Sequence, residues 1–131
     1  GGRATDDVFH LDFFEGIGVR VVITTEDGSQ GERGLVTAPL ERELRTLAPD
    51  VRLMIYACGP TGMMAAVAEL GHRYDRSTEV SLEPVMGCGL GGCYGCVVRL
   101  RRGTGPGQFV RACLEGPVFA ADRVVWEELG H

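Results

Sequence analysis

The chain has 131 residues, 44% of them hydrophobic and 24% charged, enough for one domain-scale core and typical of a globular, not a disordered, protein. Its formal net charge of −5 excludes a general binder of nucleic acid or of anionic membrane, because both need a basic field against phosphate. No apolar run is long enough to span a bilayer, and Gly1-Gly2-Arg3-Ala4-Thr5-Asp6-Asp7 lacks the basic-then-apolar pattern of a secretory signal, so a cytoplasmic location is expected.

Asp6-Asp7 supply capping side chains, and Val8, Leu11 and Phe14 recur at helical spacing, which predicts a short helix over residues 6–14. Val19 to Thr25 (VRVVITT) is rich in β-branched residues and ends at the turn signal Asp27-Gly28, the pattern of a buried strand. After a glycine-rich loop through Gly31 and Gly34, Thr37-Ala38-Pro39 puts proline near a helix start. Leu40, Leu44 and Leu47 then line one face until Pro49. Val51 to Ala57 (VRLMIYA) is nearly all apolar, as in a strand buried on both faces of a parallel sheet. It leads into Cys58-Gly59-Pro60, after which Thr61 is expected to cap a helix from Gly62 to Leu70, ended by Gly71.

This alternation predicts an α/β fold with right-handed crossovers. Two parallel strands alone leave sheet edges uncovered, so residues 1–78 are expected to be a partial nucleotide-binding module within a larger assembly. A small β-rich domain is expected over residues 79–131. It comprises strand Glu79–Leu82, a cysteine loop from Met86 to Cys96, strand Val97–Arg102, a turn from Gly103 through Thr104 to Gly107, strand Gln108–Ala112, and a last strand at Asp122–Trp126.

Three of the five cysteines crowd into residues 88–96, and without a secretory context metal binding outranks a disulfide scaffold. Four residues separate Cys88 from Cys93 and two separate Cys93 from Cys96, the C-x4-C-x2-C opening of plant-type [2Fe-2S] ligation. Cys113 is the expected fourth ligand, because closing a hairpin between the strands after Cys96 and before Cys113 joins their outer ends. Thiolates suit iron, and the negative cluster they hold needs N–H donors nearby. Gly87, Gly89, Gly91, Gly92 and Gly95 would let backbone amides come close. The rival is a four-cysteine structural zinc site, which draws on two short pairs; here the first gap is four and nothing pairs closely with Cys113.

Ser81 to Cys96 (SLEPVMGCGLGGCYGC), with Cys113 and Glu115-Gly116-Pro117-Val118-Phe119, closely resembles the electron-transfer subunit of the heteromeric bacterial dihydroorotate dehydrogenases. Asp27-Gly28-Ser29, Gly34-Leu35-Val36-Thr37 and Cys58-Gly59-Pro60-Thr61 resemble the later part of that subunit's ferredoxin-reductase-type nucleotide module. The resemblance implies a carboxyl-terminal portion of the subunit, with Cys88, Cys93, Cys96 and Cys113 as ligands of a [2Fe-2S] cluster. It implies Cys58, Gly59, Pro60 and Thr61 as the turn beside the nicotinamide and flavin site, and FAD and NAD as cofactors of the complete subunit. The implied partner is an FMN-containing catalytic subunit, and the implied role is to pass electrons singly between FMN and FAD, and so to NAD, in pyrimidine biosynthesis. The flavin barrel motif and first phosphate loop are not in this sequence, and Pro84-Val85 stands where a basic residue commonly precedes the methionine. Alternatives are a cluster-bearing subunit of another NAD(P)H-linked flavin reductase, or a non-catalytic redox-responsive module.

Plainer roles exist for several residues. Cys58 fits a half-buried thiol at a ligand-facing turn better than a fifth ligand. Tyr94 is either a cluster shield or ordinary packing. Arg99, Arg101, Arg102 and Arg111 gather on the hairpin, either as a solvated face or as a dock for an acidic surface. Met63 and Met64 read as helix core. His10, His72 and His131 offer no Rieske-type pair.

Overall fold

Asp27-Gly28-Ser29 forms the expected turn: Asp27 accepts hydrogen bonds from the Ser29 N–H at 2.9 Å and the Ser29 hydroxyl at 2.7 Å. This comes from a computed structural model that describes residues 1–103 and 105–129, so Thr104 and His131 lie outside the described residues. The chain is mixed α/β and divides into two units, Gly1–Leu47 and Ala48–His131.

In the first unit, a 3-10 turn at Thr5–Asp7 and helix α1 (Leu11–Gly16) replace the single helix expected over residues 6–14. His10 breaks the run by adopting φ +60°. The strand expected over Val19–Thr25 shrinks to β1 (Thr24–Thr25), which pairs in parallel with β2 (Glu32–Arg33). Val19 and Val22 stay 49% and 41% exposed: a β-branched run becomes a strand only where a second backbone meets it. Helix α2 (Thr37–Thr46) buries Pro39 and Leu44, with Leu40 and Leu47 half-buried along the predicted stripe.

In the second unit, β3 (Met54–Cys58) runs parallel to β4 (Ser77–Ser81), and β7 (Val118–Ala120) adds antiparallel on the far side of β4. β4 crosses residues 78 and 79, the expected border of the two modules. Ile55, Ala57, Val80 and Phe119 share the covered face of this sheet; Tyr56 and Cys58 lie on the other face and are exposed. The expectation that β3 is buried on both faces is therefore corrected: only one face has a cover within the unit.

Helix α3 (Thr61–Arg73) packs on this sheet and buries Met64, Val67 and Leu70. Pro60, not Thr61, occupies the N-cap position, and no side chain caps the helix. Gly71 does not end it. A Cβ there would collide with the Thr78 hydroxyl and stand 3.1 Å from the Arg76 carbonyl oxygen, so glycine serves close approach to β4, and the helix continues to Arg73.

The hairpin of β5 (Val97–Arg102) and β6 (Gly105–Arg111) supplies the remaining core with Val98, Leu100 and Val110. A short helix α4 (Ala112–Glu115) follows β6. The strand expected at Asp122–Trp126 is instead two 3-10 turns flanking a single bridge from Val124 to Leu100. The indole Nε1 of Trp126 donates to the Ala121 carbonyl at 3.2 Å, which holds this bend. No helix among the described residues is long and apolar enough to cross a membrane.

Candidate metal centre

The hairpin delivers two cysteines as the sequence predicts. Val97 is in register with Arg111, and the Ala112 N–H donates to the Cys96 carbonyl at 3.0 Å. Cys96 therefore leaves one strand end where Cys113, in the first turn of α4, begins beyond the other. Cys96 is buried and Cys113 half-buried. The Cys113 N–H, and then its thiol, point at the Cys96 sulfur and hold its pKa below the ordinary thiol range. By donating to Cys96, the Cys113 thiol keeps its own proton and its pKa rises.

The other two cysteines come from the irregular loop between β4 and β5, and both are exposed. The Leu90 N–H donates to Cys88 Sγ at 3.3 Å, and the Gly95 N–H donates to Cys93 Sγ at 3.4 Å. Amide donors led by Leu90, together with the Cys93 thiol, bring the Cys88 pKa down to about 6. Amides at sulfur favour the thiolate, the state in which cysteine binds a metal.

The glycines divide their work. Gly91 takes φ +81°, a conformation costly for any residue with a Cβ. Gly87 is needed for space, since a Cβ there would stand 3.0 Å from Cys93 Sγ. Gly92 has neither a positive φ nor a crowded Cβ position, yet its backbone N–H is among the amides that lower the Cys88 pKa. Tyr94 adopts φ +58°, which its residue type does not announce.

Among the described residues, no three His, Cys, Asp or Glu side chains gather as they would around one ion. The thiols meet two by two instead, Cys88 with Cys93 and Cys96 with Cys113. Two pairs of soft donors with amides aimed at sulfur fit an iron-sulfur cluster, in which the ligands divide between irons.

Cys58 ends β3, and its thiol faces Glu83 Oε1 at 3.6 Å. Gly59 has φ +145°, and the Pro60 carbonyl accepts the Met64 N–H at 3.0 Å to open α3. Cys58, Gly59, Pro60 and Thr61 thus form a strand-to-helix turn at the carboxyl end of a parallel strand, where α/β sheets bind nucleotides. Met64 is core, as expected. Arg99 pairs with Glu128 and Arg101 with Glu127. Arg111 instead turns back to the cysteine loop, which the sequence does not disclose.

Residues 83–125 match the family described as the iron-sulfur cluster binding domain of dihydroorotate dehydrogenase B. The chain is 38% identical over 120 residues to the dihydroorotate dehydrogenase B (NAD(+)) electron transfer subunit of Caldanaerobacter subterraneus subsp. tengcongensis, covering 92% of this chain and 46% of that one. It is 43% identical over 109 residues to the subunit of the same name from Desulforamulus reducens, covering 82% and 39%. Against the probable counterpart from Methanopyrus kandleri it is 35% identical over 130 residues, covering 99% and 45%. The chain thus spans less than half the length of these relatives. Among solved structures it resembles a chain from work on flavin-based electron bifurcation by the NADH-dependent reduced ferredoxin-NADP oxidoreductase. There the TM-score is 0.78 and the identity 32%, over 98% of this chain and 44% of that one.

Proposed function

We propose that this chain is the carboxyl-terminal portion of a dihydroorotate dehydrogenase B electron transfer subunit, in which Cys88, Cys93, Cys96 and Cys113 hold a [2Fe-2S] cluster. The observation that carries this reading is the pairing of the four thiols within the stretch that matches the cluster-binding family. Such a cluster, when bound, takes up and releases one electron at a time, which suits a link between two flavins. Cys96 and Cys113 hold the inner side at the hairpin end. Cys88 and Cys93 hold the outer side, open to an approaching partner.

In and beside the cysteine loop Val85, Leu90, Tyr94 and Leu114 are all more than half exposed, and exposed apolar side chains gathered at a site suit a protein interface. The partner we assign is the FMN-containing catalytic subunit that oxidises dihydroorotate in pyrimidine biosynthesis, in the cytoplasm. Cys58, Gly59, Pro60 and Thr61 are assigned to the flavin and nicotinamide site of the complete subunit, where FAD and NAD bind. The functional division we retain is residues 1–78 for the nucleotide and 79–131 for the cluster.

The test begins with anaerobic reconstitution and assay of iron and inorganic sulfide. The loaded subunit is then mixed with dihydroorotate-reduced catalytic subunit. Two irons, two sulfides and rapid bleaching of the visible absorption are expected. Four-sulfur zinc without sulfide would overturn the reading. The likeness to a reduced ferredoxin-NADP oxidoreductase chain favours a second reading, a cluster-bearing subunit of another NAD(P)H-linked flavin reductase. It predicts reduction by a nicotinamide-linked flavoprotein and none by the dihydroorotate-reduced subunit.

A further inference from the structure

Arg111 closes β6 two residues before Cys113. Its Nη1 donates to the Gly91 carbonyl at 2.6 Å, and its guanidinium carbon lies 4.9 Å from the centroid of the Tyr94 ring. Gly91 lies between Cys88 and Cys93, and Tyr94 lies between Cys93 and Cys96. One side chain therefore grips both gaps of the cysteine motif. Both gripped residues hold left-handed backbone, φ +81° and +58°: glycine adopts it freely, whereas a tyrosine in a loop without regular structure keeps it only where its surroundings hold it. The fork of the guanidinium makes this possible: one edge donates to the carbonyl while the face stacks on the ring.

Its charge has a second consequence. Arg99 and Arg101 of the same hairpin are matched by Glu128 and Glu127, whereas no carboxylate among the described residues pairs with Arg111. The unmatched cation sits against the loop that carries Cys88 and Cys93.

We propose that Arg111 is a positioning residue of the cluster loop and a fixed positive charge that raises the affinity of the bound cluster for its electron. This rests on the cluster reading above. The test uses the complete, cluster-loaded subunit and two readouts: the midpoint potential by anaerobic titration, and the rate of cluster loss to excess chelator.

Reduction adds a negative charge, so Arg111→Gln is expected to lower the one-electron equilibrium about tenfold, which is about 59 mV, and to speed cluster loss about tenfold. Arg111→Lys keeps the charge without the fork, so it should hold the wild-type potential yet lose its cluster faster. Tyr94→Leu, which leaves Arg111 intact, should do the same, and Tyr94→Phe should match wild type. If wild type takes up no iron and sulfide, the cluster reading fails and this inference falls with it. If wild type loads and Arg111→Gln matches it in both readouts, only the inference is overturned. Should Arg111→Gln not load at all, Tyr94→Leu decides: faster loss at unchanged potential supports the tie, and wild-type loss overturns it.

Discussion

Replacing Gly91 with alanine isolates the backbone's share in holding the cysteine loop. Gly91 stands at φ +81° between Cys88 and Cys93, where an L-residue loses about 1–2 kcal/mol. The new methyl would also stand 2.6 Å from Leu114 Cδ1 and 3.0 Å from its Cγ. Leu114 is 54% exposed and ends in a flexible isobutyl group, so it can swing aside, and the backbone term is the larger. That cost raises the population of the opened loop about 5- to 30-fold. Chelator-driven decay of the visible absorption under anaerobic conditions measures this opening, and Gly91→Ala should decay faster by that factor. Adding Leu114→Ala should restore little if the backbone dominates, while the Gly91→Asn, Leu114→Ala double variant should approach wild type because asparagine tolerates left-handed backbone. Decay of Gly91→Ala at the wild-type rate, or full rescue by Leu114→Ala alone, would refute the assignment to φ.

Serine at Cys88, Cys93, Cys96 or Cys113 should each abolish stoichiometric iron and sulfide, whereas Cys58→Ser should retain both in the same colorimetric assay. In the cluster-free chain, the Cys88 thiol, lowered to about 6, is mostly thiolate at neutral pH. Its alkylation, followed by mass spectrometry, should reach half its maximal rate near that pH, while Cys113, raised above the ordinary range, reacts fully only in stronger alkali; coincident profiles would contradict the pairing. Gly71→Ala should destabilise the fold in urea: overpacking against Thr78 costs about 1–3 kcal/mol, against about 1 kcal/mol gained in helix propensity. A higher urea midpoint would show that Gly71 acts only as a weak helix former.

What the sequence discloses is what depends on short spacing. The loop motif is local, so C-x4-C-x2-C and the amides aimed at Cys88 and Cys93 follow from neighbours. Cys113 was reachable because a hairpin has a simple rule: its outer ends meet. The misses share a non-local cause. Gly71 has the sequence look of a helix terminator, but its role is set by Thr78 across the sheet. Val19 to Val22 have strand propensity but no ladder partner among the described residues, and Val124 makes a single bridge there, to Leu100. Arg111 is indistinguishable in sequence from Arg99 or Arg101. Only the fold shows that two of these face carboxylates and the third faces the loop.

The two halves of the site are held by different physics. Cys96 is 3% exposed and belongs to the same core cluster as Val98, Leu100, Val110 and Phe119, so the hydrophobic effect that folds the hairpin also sets Cys96 beside Cys113. Cys88 and Cys93 have no such support. Their loop has no regular structure, they are exposed, and they depend on backbone amides aimed at sulfur, glycine at Gly91 and the reach of Arg111. The electron-transfer role proposed above would use this asymmetry. A site buried on every side would be stable but unreachable by a partner, and one exposed on every side would lose its ligands to solvent fluctuation. Anchoring one pair in the core lets the other pair stand at the surface, and a cation at the foot of the hairpin joins the two.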